Sequence, residues 1–205
     1  MLAKNDILNR AFCGILVVIW ILAPYSILQH VEIRSVIWMP ELALDEMIPL
    51  CFASIWVYFS FYLLLGMVGL MVEKKMFIQY LYTVGWVTLV SHMVFLFLPT
   101  GVMRTEVDIE NAPWIYQLLA NVDEPRNAAP SLHASLSVVA AMAVQCSTRF
   151  KLPVKLFTWL WVIAIFWSTI ALRQHVSICL ISGSVLAVAV WFIVGRSSEM
   201  KQHGV

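Results

Sequence analysis

The chain has 205 residues and a formal net charge of +1, with 61% hydrophobic residues against only 12% charged and a mean hydropathy of +0.85. A soluble domain keeps its exterior wet with about a quarter charged residues, so this composition excludes one. The sequence also offers no basic patch for a nucleic acid, no internal repeat and no low-complexity tract.

A helix needs roughly 20 apolar residues to cross a bilayer, and six stretches qualify: Ala11–Leu28, Pro49–Val72, Phe77–Leu98, Ser131–Thr148, Leu156–Leu172 and Val176–Val194. Lys4 and Arg10 precede the first as they would in a signal peptide, but no small-residue cleavage pattern follows, so it reads as a retained helix. The stretch Val31–Met47 mixes apolar residues, acids and Pro40, and reads as chain lying on the membrane surface rather than a strand or linker. Trp38 and Trp114 suit the interfacial belt. The longest connection, Pro99–Ala129, holds Arg104, Arg126 and five acids, and its apolar patch Pro113–Leu119 predicts a short interfacial helix. The connections are too short for a separate soluble domain. The expected fold is all-α, a six-transmembrane-helix bundle with an outer-face interfacial loop or helix, forming one integral membrane domain over residues 1–205.

With six spans both termini lie on one side. That side would carry Lys4, Arg10, Lys74, Lys75, Arg149, Lys151, Lys155, Arg196 and Lys201; the other has only Arg34, Arg104, Arg126 and Arg173. The positive-inside rule makes the first side cytoplasmic. The acids Glu32, Glu41, Asp45, Glu46, Glu106, Asp108, Glu110, Asp123 and Glu124 fall outside.

Cys13, Cys51 and Cys146 read as buried small hydrophobes, with no spacing suited to zinc. No metal or other cofactor is expected, because no carboxylate cluster sits beside the histidines. His92, inside the third span, reads as a neutral imidazole hydrogen-bonded between helices rather than as a reacting group. His30 reads as interfacial, and His203 as part of a polar tail.

Two polar islands remain: Pro130-Ser131-Leu132-His133, and Ser168 to His175, S-T-I-A-L-R-Q-H. The topology puts Arg104, His133, Ser168, Arg173 and His175 at one membrane level. A helix starting at Pro130-Ser131-Leu132 would offer an anion its unsatisfied N–H groups. Arginine adds a forked, permanently charged donor. Two histidines can divide phosphoryl transfer: one attacks phosphorus, the other protonates the departing oxygen.

At these residues the chain resembles the phosphatidic acid phosphatase type 2 superfamily, whose patterns are Lys-x6-Arg-Pro, Pro-Ser-Gly-His and Ser-Arg-x5-His-x3-Asp. Pro130, Ser131 and His133 match the second pattern, with Leu132 in place of glycine; Ser168 and His175 match the third. Of the first only Arg104 matches, with Phe97 and Thr105 where lysine and proline would stand. Asp45–Tyr58, Leu98-Pro99-Thr100 and Asn127 to Ser135 are similar to the inositol-phosphoryltransferase-like branch, and the likeness covers about residues 45–190.

The resemblance implies a membrane lipid phosphatase or phosphotransferase working through a phosphohistidine at the outer face. His175 would be the nucleophile and His133 the general acid, with Arg104, Ser131 and Ser168 holding phosphate oxygens. Thr169 replaces the family's arginine, and Arg173 would substitute for it. The substrate would be a phospholipid, sphingolipid or polyprenyl phosphate. The departure is Cys179, where the family has an aspartate that orients the nucleophilic imidazole. A replacement would come from Asp123, Glu124, the acidic outer loops or a backbone carbonyl. The alternative reading is a catalytically degenerate protein that binds lipid phosphate, and a third is a small transporter or channel.

Overall fold

The computed structural model describes residues 4–31, 33–104 and 107–202; Glu32, Thr105, Glu106 and His203, named above, lie outside them. The described chain is all-helical. Six long elements follow the six apolar stretches: α1 (Lys4–His30), α3 (Ile55–Met71, entered through a 3-10 turn at Phe52–Ser54), α4 (Lys74–Phe97), α6 (Leu132–Cys146), α7 (Leu152–Ala171) and α8 (Ser177–Gln202). Two short helices, α2 (Ala43–Met47) and α5 (Trp114–Val122), lie in the connections. Five helices, α1, α3, α4, α7 and α8, are long and apolar enough to cross a membrane, which marks an integral membrane protein.

The sixth, α6, has 15 residues, or about 22 Å at 1.5 Å per residue. Eleven of those residues are buried, among them Ala134, Ser135, Ser137, Ala140, Ala141 and Ala143. Such small side chains let neighbouring backbones come close. As a result α6 is the central helix, packed by α8, α7, α4 and α3.

The closest approach is between α6 and α8. Ser131 N–H donates to the Cys179 carbonyl at 3.1 Å. A Cβ on Gly183 would stand 2.9 Å from Ser135 Oγ and closer still to the Ser131 carbonyl oxygen. Gly183 is therefore where the backbone of α8 meets the Ser131 backbone and the Ser135 hydroxyl of α6 with no room for a side chain of its own.

By contrast, α1 presents mostly exposed apolar residues and is held by polar pins at its ends. Arg10 donates to the carbonyls of Gly69 (3.1 Å) and Val72 (2.7 Å), closing the last turn of α3, and stacks 4.4 Å over Phe77. At the other end Tyr25 and Gln29 donate to Asp123 at 2.7 and 2.8 Å. Near Arg10, Glu73 accepts from the Ser147 hydroxyl and from Thr148 N–H.

The stretch expected to lie on the surface without strand structure contains a two-residue strand. β1 (Ile37–Trp38) pairs in parallel with β2 (Thr100–Gly101), and Ile37 and Met39 N–H donate to the carbonyls of Pro99 and Gly101 at 2.8 Å. The cause is the demand that backbone groups removed from water find partners. Of the cysteines read as buried, Cys146 is exposed and Cys13 and Cys51 are half-buried.

Gly183→Ala forces α6 and α8 apart, so it should cost about 1–3 kcal/mol. A thermal melt of the detergent-solubilised protein would read this as a lowered midpoint, whereas Gly66→Ala, whose Cβ would meet nothing within 4 Å, should leave the midpoint nearly unchanged.

Candidate functional site

His133 sits on the first turn of α6, whose start is set by Ser131: its Oγ accepts from Ala134 N–H at 3.3 Å, an N-cap. His175 lies in the turn between α7 and α8. There Arg173 adopts φ 56°, the left-handed conformation that ends helices, and Gln174 N–H returns to the Thr169 carbonyl at 2.9 Å. Asp45 fixes the far side of the turn, accepting from Ser177 N–H at 2.7 Å and Ser177 Oγ at 2.6 Å at the start of α8.

The turn and the α6–α8 contact bring the imidazoles together, with ring centroids 5.6 Å apart and planes at 60°. Tyr58 and Phe61 of α3 flank the His133 ring at 4.5 and 4.7 Å. Each imidazole keeps a buried nitrogen without a hydrogen-bond partner, Nε2 of His133 and Nδ1 of His175. His175 is only 7% exposed. Burial, and after it the charges of His133 and Arg104, hold its pKa well below the ordinary imidazole value, against a hydrogen bond with the Ala128 backbone that pulls upward. It is therefore neutral at pH 7, as a nucleophile must be.

Arg104 reaches the same turn. Its Nη2 donates to Gln174 Oε1 at 2.7 Å, its Nη1 to the Asp123 carbonyl at 2.8 Å, and its Nε is buried without a partner. Gln174, which sequence reasoning passed over, also donates to the Leu172 carbonyl at 3.1 Å, and so ties Arg104 to the backbone beside His175. Its position between Arg173 and His175 was the signal in the sequence.

Of the other residues read as phosphate holders, Ser168 and Arg173 make bonds to main-chain carbonyls. Ser168 Oγ is fully buried and donates to the Ile165 carbonyl of its own helix at 2.7 Å. Arg173 is directed at α2, with Nη1 on the carbonyls of Ile48 (3.1 Å) and Asp45 (3.4 Å). Ser131 uses its lone pair as the cap but keeps its hydroxyl proton to give. Cys179 is buried, and its carbonyl accepts from Ser131.

Among the described residues, none of the acids considered as replacements for the aspartate bonds to His175. Asp123 binds Tyr25, Gln29 and, at 3.4 Å, Tyr58. Glu124 pairs with His30 at 3.5 Å and Arg126 at 3.8 Å, and Asp45 holds Ser177. The backbone at Ala128 hydrogen-bonds the His175 ring instead. His92, inside α4, hydrogen-bonds the backbone of Ile21 in α1, between helices as expected, and its Nε2 is buried without a partner.

A cavity of about 290 Å³ opens beside the pair, between α1, α3, α5 and α6. His133, His175, Asp123, Asn127 and Tyr25 form its polar end, and Ile21, Leu22, Phe61, Tyr62, Leu118 and Leu136 carry it on as an apolar channel. Of the residues singled out from the sequence as catalytic or phosphate-binding, only the two histidines line it. No protein-family model, curated protein or solved structure matches the chain.

Histidine NMR should find the His175 imidazole titrating below the ordinary value of about 6.5. Arg104→Gln removes a cation that disfavours the imidazolium, so it should move that midpoint up; an unmoved midpoint would separate Arg104 from the site.

Proposed function

We propose that the chain is a membrane lipid phosphatase or phosphotransferase that works through a phosphohistidine on His175. The observation that carries this reading is the meeting of two imidazoles from separate elements, each with an unpartnered ring nitrogen, at the polar end of an apolar cavity. The resemblance in Pro130, Ser131, His133, Ser168 and His175 supports it. In this reading α6 counts as a sixth span, the termini are cytoplasmic, and the histidines and α5 face outward, as the distribution of basic residues favours.

The lipid phosphate sits between the imidazoles with its chain in the cavity. Neutral His175 attacks phosphorus, the bond to the leaving oxygen breaks, and that oxygen takes a proton from His133. Water or an acceptor alcohol then attacks the phosphohistidine, giving its proton back to His133. Arg104, with its unpartnered Nε, and the first turn of α6 offset charge on the phosphoryl oxygens. A phospholipid, sphingolipid or polyprenyl phosphate all satisfy this chemistry.

A second reading, binding of lipid phosphate without turnover, is favoured by one observation. Cys179 stands where the family's aspartate would be, and no carboxylate touches His175 among the described residues. Alkaline quenching with a radiolabelled short-chain lipid phosphate decides between the two. Turnover predicts label on the parent and none on His175→Ala. His133→Ala should lose roughly 10²–10⁴ in rate with alkoxide leaving groups and much less with a nitrophenolate. Equal background rates for parent and His175→Ala across several substrates would leave the binding protein. The lowered pKa of His175 adds that labelling should persist as pH falls through about 6.5, failing only below it.

A further inference from the structure

The polar end of the cavity holds one charged group the reaction does not use. Among the described residues, Asp123 is the only Asp, Glu, Lys or Arg in the lining. Its carboxylate is held by neutral donors: the Tyr25 hydroxyl and Gln29 amide on Oδ1 at 2.7 and 2.8 Å, and the Tyr58 hydroxyl on Oδ2 at 3.4 Å. Arg104 reaches the same residue but commits its Nη1 to the Asp123 main-chain oxygen and its Nη2 to Gln174. Among the described residues no cationic side chain bonds the carboxylate. A carboxylate against an apolar space, held only by neutral groups, is costly unless a cation shares that space.

The rest of the lining is aromatic to an unusual degree. Tyr25, Tyr58, Phe59, Phe61 and Tyr62 contribute rings to one cavity. Aromatic faces attract cations, and they suit an alkylated ammonium best because it has no N–H groups to satisfy. The faces of the rings offer no lone pair to the three N–H groups of a primary ammonium.

We propose that Asp123 and these rings form a subsite for an alkylated ammonium carried on the alcohol of the bound phosphate, so that the preferred ligand is a choline-type phosphodiester lipid. This rests on the phosphate reading of His133 and His175 and deepens it. The imidazoles face the phosphate, while Asp123, held by the hydroxyl of Tyr58 whose ring flanks His133, faces the ammonium. A bare phosphomonoester would set a doubly negative group near the same carboxylate and be repelled.

The test uses the full chain in amphipol, with dihexanoyl phosphatidylcholine, phosphatidylethanolamine and phosphatidic acid below their micellar concentrations, read by calorimetry. The parent should bind the choline lipid about tenfold or more tighter than phosphatidic acid, equivalent to about 1.4 kcal/mol, with the ethanolamine lipid between them. Asp123→Asn should erase the preference while keeping phosphatidic acid binding, which also shows that the variant is folded. Tyr62→Leu removes a ring that is half exposed and so tolerant of change, and it should weaken the choline lipid selectively. A parent that prefers phosphatidic acid or the ethanolamine lipid overturns the subsite, as does a choline preference that survives both variants. If His133→Ala and His175→Ala leave phosphatidic acid binding unchanged, the phosphate reading fails separately.

Discussion

The N–H of Ser131 donates to the carbonyl oxygen of Cys179, and beside that bond the backbone of Gly183 lies against Ser131 and Ser135 without any intervening side chain. This contact sets the distance between the first turns of α6 and α8, and both histidines are measured from it. His133 is two residues after Ser131, and His175 is four before Cys179. Were the helices a side chain further apart, the 5.6 Å separation of the rings would not survive. The small residues along α6 serve the same end, because a central helix packed on four sides can approach α8 this closely only if its own side chains are short.

Around that contact, buried polar groups are satisfied by residues distant in sequence. Asp45 accepts from Ser177 N–H and Oγ through Oδ1 and from Leu42 N–H through Oδ2, while its carbonyl accepts from Arg173. One residue of α2 thus holds the chain on both sides of His175. Tyr116 of α5 donates to the Leu172 carbonyl at 3.0 Å, and Cys51 N–H reaches the Ala171 carbonyl at 2.9 Å, so the end of α7 is pinned from two further segments. In surroundings poor in water each unmade bond would cost more than it would at a wet surface. The catalytic-type nitrogens, Nε2 of His133 and Nδ1 of His175, are left out of a network that satisfies most of their neighbours.

The helices were legible in the sequence because length and apolarity alone define them. The third apolar stretch, Phe77–Leu98, became Lys74–Phe97, and the fifth, Leu156–Leu172, became Leu152–Ala171. The ends ran longer where polar residues such as Lys74 and Lys151 could begin or cap a helix in contact with water. The two histidines were legible too, since an imidazole at each of two helix starts is a sparse signal in a greasy chain. What the sequence hid was pairing over long separations: β1 with β2, Asp45 with Ser177, Asp123 with Tyr25. Nothing periodic marks such partners. For Ser168 and Arg173 the sequence could not show that a helix carbonyl accepts from Ser168 Oγ and that carbonyls of Asp45 and Ile48 accept from Arg173 Nη1.

The placement of charge explains how the site is polarised. Two helix starts meet here, and each would present a positive dipole end to a ligand. At α8 that end is taken by Asp45, whose carboxylate sits on Ser177 N–H. At α6 the cap is the neutral hydroxyl of Ser131, so its field is not cancelled. Arg104, turned toward Gln174, adds to the same side. The electropositive part of the site thus lies with α6, Arg104 and the imidazoles, and the electronegative part lies with Asp123 in the same lining. A carboxylate at Cys179 would have put negative charge beside His175. With a buried thiol there, the field at the imidazoles is more favourable to an anion, at the expense of the group that would steady a positive charge on His175 during attack. Under the proposed phosphoryl transfer, tight holding of phosphate and slower transfer of it would both follow from a thiol at that position.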